Sequence, residues 1–150
     1  ARELLLPFPG WTLPGVTGAG GLQALIKGGV PVADERLVTA GSGPLLLASA
    51  ATAKQAGAQL LRIAEQAPLR ALAAFAAQLP RWPGKLLQAA RLFDHHYRSG
   101  SYVLAALGRE RLEGVRLWQN GKIVEMACER LACGFGLVPN TQLGQALGAT

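Results

Sequence analysis

Between residues 36 and 64 the hydrophobic positions change their spacing twice. Arg36 to Ala40 (RLVTA) is a short continuous apolar run, bounded by the acidic pair Asp34–Glu35 and by Gly41. That is the profile of a parallel strand buried on both faces. The segment GSGPLLLASAATAKQAGA follows, rich in Ala and Leu, with a proline close to its start and Gly57 at its end. Proline in the first turn and glycine just past the last predict a helix from Pro44 to Ala56. Gln59 to Ala64 (QLLRIA) then reads as a second strand that ends at Glu65. The three pieces make a β-α-β unit.

Around this unit the pattern is more broken. Residues 1–31 are rich in Gly and Pro (PFPGW, LPGVTGAGG, KGGVP) and read as a lead-in crossing the surface, with one short helix near Gly20 to Lys27 where Leu22, Leu25 and Ile26 share a face. Trp11 is expected to pin that lead-in to the core. Pro68 to Leu79 and Lys85 to His95 read as helices separated by Pro80 and Pro83. Ser101 to Leu107 and Leu112 to Trp118 read as strands, and Asn120–Gly121 is a two-residue hairpin turn into a strand from Ile123 to Ala127. A short strand from Arg130 to Cys133 and a last helix from about Thr141 to Leu147 complete the pattern. The fold class expected is α/β: a Rossmann-like parallel sheet with flanking helices and an antiparallel hairpin layer. The divisions expected are 1–31 as lead-in, 32–133 as the Rossmann-like domain and 134–150 as an exit segment.

Composition adjusts this picture in three ways. Half of the 150 residues are apolar and 16% are charged, an apolar balance that predicts surface covered by a neighbouring domain or subunit. No stretch reaches the length of about 20 apolar residues that a spanning helix needs. Ala1 to Leu6 is too short for a signal peptide and is broken by Pro7, and the opening on Ala1 rather than Met suits a segment of a longer protein. The net charge of +6 comes from scattered Lys and Arg without RNA-binding aromatic motifs or zinc-finger spacing, so it favours an anionic ligand or acidic partner over nucleic acid. Cys128 and Cys133 have neither redox-pair nor zinc spacing and are expected as buried free thiols in a reducing cytoplasm.

The residues that carry chemistry lie at the β-α junction. Gly41-Ser42-Gly43 follows a predicted strand and opens a predicted helix, the context in which a glycine-rich turn acquires meaning. Gly41 permits the tight turn, Gly43 lets backbone approach a pyrophosphate, and the anion rests on the free N–H groups at the helix start. Glu65, about 20 residues on, is placed to accept hydrogen bonds from a ribose diol and to repel a 2′-phosphate, which favours NAD over NADP. The candidate cofactor-binding set is Gly41, Ser42, Gly43, Pro44, Leu45 and Glu65. Two features run against it: the third position of the glycine pattern is Leu46, and Pro44 removes an N–H at the turn. A Rossmann-like domain whose phosphate site is degraded or empty therefore stays open as the alternative.

The flanking segments extend the comparison to essentially the whole chain. ARELLLPFPGW resembles the crossover by which glutathione-reductase-like flavoproteins leave the FAD domain for the NAD domain. LACGFGLVPNTQL resembles the complementary exit, a G-x-x-P-N-T element. With PGWTLPGV, GAGGLQAL, AGSGPLLLA and IAEQA in this order, the chain resembles the NAD-domain segment of the FAD-dependent pyridine nucleotide-disulfide oxidoreductase superfamily. It looks most like the FAD subunit of opine oxidases, hydrogen cyanide synthases and dye-linked amino-acid dehydrogenases. The resemblance implies a parent enzyme that takes a hydride from the C–N bond of an amino acid or opine onto FAD and passes electrons to quinone or another acceptor. It implies NAD as the cofactor of this segment, FAD held by the rest of the parent, and partners in the FAD domain of the same chain and in other subunits of a hetero-oligomer. No catalytic residue is assigned within the segment, and the absence of CxxC argues against a thioredoxin-reductase mechanism. If electrons go to quinone, the NAD site holds another adenine nucleotide or nothing.

Other constellations read as structural. His95 and His96 are placed near the end of a basic helix with Arg91, Tyr97 and Arg98, where adjacent residues point about 100° apart and do not easily share one metal, so a solvated helix end is favoured over a metal site. Trp82 and Trp118 can stack an adenine ring, but packing or an interdomain contact is the commoner fate. Ser42 lacks a nucleophile-elbow pattern, and Arg109, Glu110, Arg111 and Glu113 form a solvated turn. A small complete dehydrogenase is the remaining rival, for which 150 residues leave no substrate domain.

Overall fold

A computed structural model describes residues 1–77, 84 and 94–148. Its centre is a five-stranded sheet in the order β2-β9-β3-β4-β5, built from β2 (Val16–Gly18), β3 (Arg36–Gly41), β4 (Gln59–Glu65), β5 (Tyr97–Ser99) and β9 (Arg130–Gly134). Every neighbouring pair in it is parallel. Strand β3 lies in the middle, and its alternation explains its unbroken apolar sequence. Leu37 faces one core and Val38 and Ala40 face another, so both faces exclude water.

The first core lies under α1 (Ala19–Lys27) and α2 (Pro44–Gln55). Helix α2 buries Leu46, Ser49, Ala50 and Ala53, the spacing of one helical face. Helix α1 buries Ala19 and Leu22, and the Glu3 carboxylate accepts from the N–H groups of Gly20 (2.7 Å) and Gly21 (3.3 Å) at its start. A carboxylate there satisfies orphan donors and opposes the helix dipole. The second core lies beneath an antiparallel meander of β6 (Ser101–Leu107), β7 (Gly114–Gln119) and β8 (Lys122–Ala127), with Val115 and Leu117 fully buried. Asn120 and Gly121 both have positive φ, 50° and 81°, as a two-residue hairpin turn between Gln119 and Lys122 requires. The α/β class expected from the sequence is thus observed: a parallel sheet, helices on one face and an antiparallel layer on the other.

The remaining described elements are α3 (Leu69–Ala76), β1 (Arg2–Glu3), β10 (Leu137–Val138) and α4 (Gln142–Ala146). Strand β1 pairs antiparallel with β10, Arg2 opposite Val138, so the inbound and outbound segments run side by side.

Several expectations need correction. The short helix expected near Gly20 to Lys27 is observed as α1, but residues 16–18, read as irregular lead-in, supply β2. Strand β2 consists of three residues among glycines, too short for a period signal. Tyr97 and Arg98 belong to β5, not to a helix. His95 and His96 accordingly lie in the turn before that strand, with ring centroids 3.8 Å apart. Trp11 is 41% exposed; Phe8 and Leu13 pack on the core in its place. Trp118 stacks on Tyr102 across the meander at 6.4 Å. Arg109, Glu110, Arg111 and Glu113 are exposed, as a solvated turn requires. Trp82, Pro80, Pro83, Arg91 and most of the helix expected from Lys85 to His95 fall outside the described residues.

Candidate nucleotide site

The glycine turn stands at the carboxyl end of β3, where open α/β sheets place their ligands. Gly41 has φ 140°, and a Cβ there would sit 2.0 Å from the Gly134 carbonyl oxygen of β9. The residue is therefore glycine for a steric reason between two adjacent strands. Gly43 has φ 97°, and no atom lies within 4 Å of where its Cβ would be. Its outer side is open. Pro44 occupies the first helical position, and Leu45 packs at the margin of the helix-side core.

Leu46, bulky where glycine or alanine usually lets the helix approach the sheet, is fully buried. The room comes from the strand instead: a Cβ on Gly134 would lie 3.3 Å from a Leu46 methyl and 3.2 Å from the Ala19 Cβ. The small residue has moved across the helix–sheet contact.

Glu65 is the centre of the arrangement. Its side chain is 1% exposed, and its two oxygens accept four hydrogen bonds. Oε1 accepts from the Ser42 hydroxyl (2.8 Å) and the Ala67 N–H (2.9 Å). Oε2 accepts from the Gly43 N–H (2.9 Å) and the Tyr97 hydroxyl (3.2 Å). A carboxylate offers about four lone-pair sites, so this one is saturated within the chain. Burial, and then the neighbouring Glu65 charge, push the Tyr97 hydroxyl well above its ordinary pKa, which keeps it a donor. The Ser42 N–H donates to the Gly134 carbonyl at 2.7 Å, and the Gln66 N–H donates to the Gly41 carbonyl at 2.7 Å. Through residue 44 the turn has two N–H groups turned inward and a proline without one.

Of the six candidate residues, the structure brings Ser42, Gly43 and Glu65 into direct contact; Gly41 shapes the turn, while Pro44 and Leu45 begin the helix. Tyr97 was missed. Its signal, a buried carboxylate needing donors, becomes visible only once β5 is known to lie beside β4.

A pocket of ≈ 130 Å³ lies elsewhere, among Leu5, Phe8, Trp11, Thr17, Cys133 and Phe135. Cys128 and Cys133 are buried free thiols. Burial pushes both up to about 12, with Glu129 adding to the first and Glu3 to the second.

The sequence and the architecture have close parallels. The chain is 34% identical to the hydrogen cyanide synthase protein HcnB of Pseudomonas protegens, over 98% of its own length and 34% of that protein's. It is 32% identical to an opine oxidase subunit of Rhizobium meliloti, over 99% of its length and 30% of that protein's. Among solved structures, thioredoxin reductase of T. acidophilum superposes with a TM-score of 0.66 at 15% identity, over 93% of this chain and 43% of that one. Histamine dehydrogenase from Rhizobium sp. 4-9 gives 0.60 at 15% identity, over 99% and 21%. These two likenesses establish the fold alone. No family model matches the chain. The chain has the fold of the part of thioredoxin reductase on which it superposes. In sequence it is similar to HcnB and to the opine oxidase protein, and it spans about a third of the length of these curated relatives.

Proposed function

We propose that this chain is the NAD-domain-type segment of an FAD-dependent oxidoreductase subunit that oxidises the C–N bond of an amino acid or opine, and that it acts there as a scaffold with no dinucleotide bound. The observation that carries the scaffold reading is the Glu65 carboxylate. It takes the Gly43 N–H and the Ser42 hydroxyl, donors that a pyrophosphate at the helix start would need. With the Ser42 N–H on Gly134 and no N–H on Pro44, the residues present do not fit a dinucleotide phosphate. A negative charge at the start of α2 is supplied from inside the protein, where it opposes the helix dipole as a ligand would.

The similarity to HcnB and to the opine oxidase protein supports this activity for the parent; in this reading FAD is bound outside the segment, which contributes no catalytic group. The side-by-side course of β1 and β10 supports a domain inserted within another, with crossovers in 1–31 and 134–150 around a Rossmann-like body. Leu5, Leu6, Leu137, Leu143 and Leu147 are exposed on those same segments, which favours coverage by the FAD domain and by other subunits of a hetero-oligomer. No helix among the described residues is long and apolar enough to cross a membrane. The buried free cysteines suit a reducing compartment, and a cytoplasmic location belongs to the same proposal.

A second reading, with NAD or another adenine nucleotide bound at Gly41, Ser42, Gly43, Pro44, Leu45 and Glu65, is favoured by the open outer side of Gly43. Anaerobic mixing of the full-length parent flavoprotein separates the two. Amino acids or opines should bleach the flavin absorbance and NADH should not. Bleaching by NADH would overturn the scaffold reading, and failure of every amino acid and opine would overturn the assignment of the parent.

A further inference from the structure

The chain's two histidines are adjacent, and the turn before β5 gathers them around an acid. On a helix, His95 and His96 would point about 100° apart. In the turn their ring centroids are 3.8 Å apart, and both rings face one oxygen of Asp94. The Nδ1 of His96 lies 2.6 Å from Asp94 Oδ1, and that of His95 lies 3.6 Å from it. One ligand atom from each of the three residues lies within 4.8 Å of the other two. Backbone hydrogen bonds hold the turn in this shape. The Tyr97 N–H donates to the Asp94 carbonyl (3.1 Å), and the His96 N–H to the Asp94 carboxylate (2.9 Å). The Ile63 N–H of β4 donates to the His96 carbonyl (3.1 Å), which ties the turn to the sheet.

Two imidazoles and a carboxylate are a donor set suited to zinc, nickel or copper ions. Such ions sit about 2.0–2.2 Å from nitrogen and oxygen ligands, so ligand atoms around one ion are roughly 3–4 Å apart. A spread of up to 4.8 Å closes by small ring rotations, and His95 has the room to make them, its side chain being 81% exposed. Asp94 is already oriented. The Lys54 ammonium holds its Oδ2 at 2.6 Å, which leaves Oδ1 to the rings. Binding exchanges the hydrogen bond between His96 and Oδ1 for bonds from both groups to the ion, as the ring proton moves to the other ring nitrogen. Among the described residues, two cations oppose a bound ion. They are Lys54 and Arg98, whose guanidinium donates to the His95 and Tyr97 carbonyls. Both side chains are exposed, so water and salt screen much of that repulsion.

The geometry points to a site for a divalent transition-metal ion of the zinc type, held by Asp94, His95 and His96 at the turn before β5 and independent of what the glycine turn binds. Calorimetric titration of the full-length parent protein with Zn²⁺, and separately with Ni²⁺, tests it, with Mg²⁺ at matched ionic strength as the control. Saturable Zn²⁺ and Ni²⁺ binding is expected, weakened at least about tenfold in His95→Asn, His96→Asn and Asp94→Asn and unchanged in Glu125→Gln. Asp94 and His96 also hold the turn together, so their loss can act through the fold. His95→Asn removes an exposed ring and should leave Tm unchanged while binding weakens. Lys54→Gln removes an opposing charge and should tighten binding severalfold. Electron paramagnetic resonance of the Cu²⁺-loaded protein should show coupling to imidazole nitrogens that His95→Asn diminishes. No saturation by Zn²⁺ or Ni²⁺ up to millimolar concentration would overturn the proposal. So would saturable binding that both His95→Asn and Asp94→Asn leave intact, because the ion would then sit elsewhere in the parent.

Discussion

Replacing Glu65 by Gln tests how the glycine turn is held. Each carboxylate oxygen accepts one hydroxyl and one backbone N–H: Ser42 and Ala67 on Oε1, Tyr97 and Gly43 on Oε2. The glutamine amide has one oxygen and one NH2. A hydroxyl can rotate to accept from that NH2, but a backbone N–H cannot. Whichever way the amide is turned, either Gly43 or Ala67 is left with its N–H facing a donor. Stranding one buried donor costs about 1–3 kcal/mol, and the charge-assisted character of the original bonds is lost as well. We expect a net loss of about 2 kcal/mol, or roughly 4–8 °C in Tm for a domain of this size, read by urea and thermal unfolding. Glu65→Leu strands all four donors and should cost at least about 4 kcal/mol, a large part of a typical domain's stability. A double-mutant cycle with Tyr97→Phe should give a coupling of about 1 kcal/mol. A Glu65→Gln protein within about 1 °C of the parent Tm would mean that the carboxylate does not hold the turn.

Further predictions concern the surroundings of the site. Gly41→Ala would drive a Cβ to 2.0 Å from the Gly134 carbonyl and should cost more than about 3 kcal/mol. Gly43→Ala, open but at positive φ, should cost only about 1–2 kcal/mol; equilibrium unfolding of the pair checks the contrast. The hydrogen bond from Arg36, opposed by slight burial, holds the Glu129 carboxyl at about 2 against an ordinary 4.5. A depressed acid stabilises the fold fully above its unfolded pKa and loses that contribution as pH falls through its folded one. Acid titration should therefore show a loss between pH 4.5 and about 2 that Glu129→Gln flattens. With both thiols pushed up to about 12, about one in ten thousand is ionised at pH 8. Disulfide-exchange labelling of Cys128 and Cys133 should proceed only as fast as the protein opens.

The sequence made the β-α-β unit legible because its signals are local. Leu37 to Ala40 is a buried run, Pro44 marks a helix start, and Asn120–Gly121 marks the meander's turn. Leu46 and Pro44 were also legible as departures from the glycine-rich pattern. What compensates them was not legible, because it is tertiary. Gly134 offers room to Leu46 from a strand nearly ninety residues away, through a parallel pairing that no local period encodes. The saturation of Glu65 depends on Tyr97, which sits on a three-residue strand that reads, in sequence, as the end of a helix. The His95–His96 turn shifted with it. Likewise β2 is three residues of Gly-rich lead-in that became a strand because β9 offered it a partner. In each case the local residues permit more than one conformation, and the neighbour across the sheet selects among them.

Calorimetric titration of this chain with NAD, NADP and ADP, alongside Gly43→Trp, asks whether the glycine turn takes a dinucleotide. With its donors held by Glu65, no saturable heat is expected at the turn with NAD or NADP up to millimolar concentration, and any ADP heat should be unchanged by Gly43→Trp. Saturable NAD binding that Gly43→Trp abolishes would contradict this, since the Glu65 carboxylate would then have to give up the Gly43 N–H to a ligand.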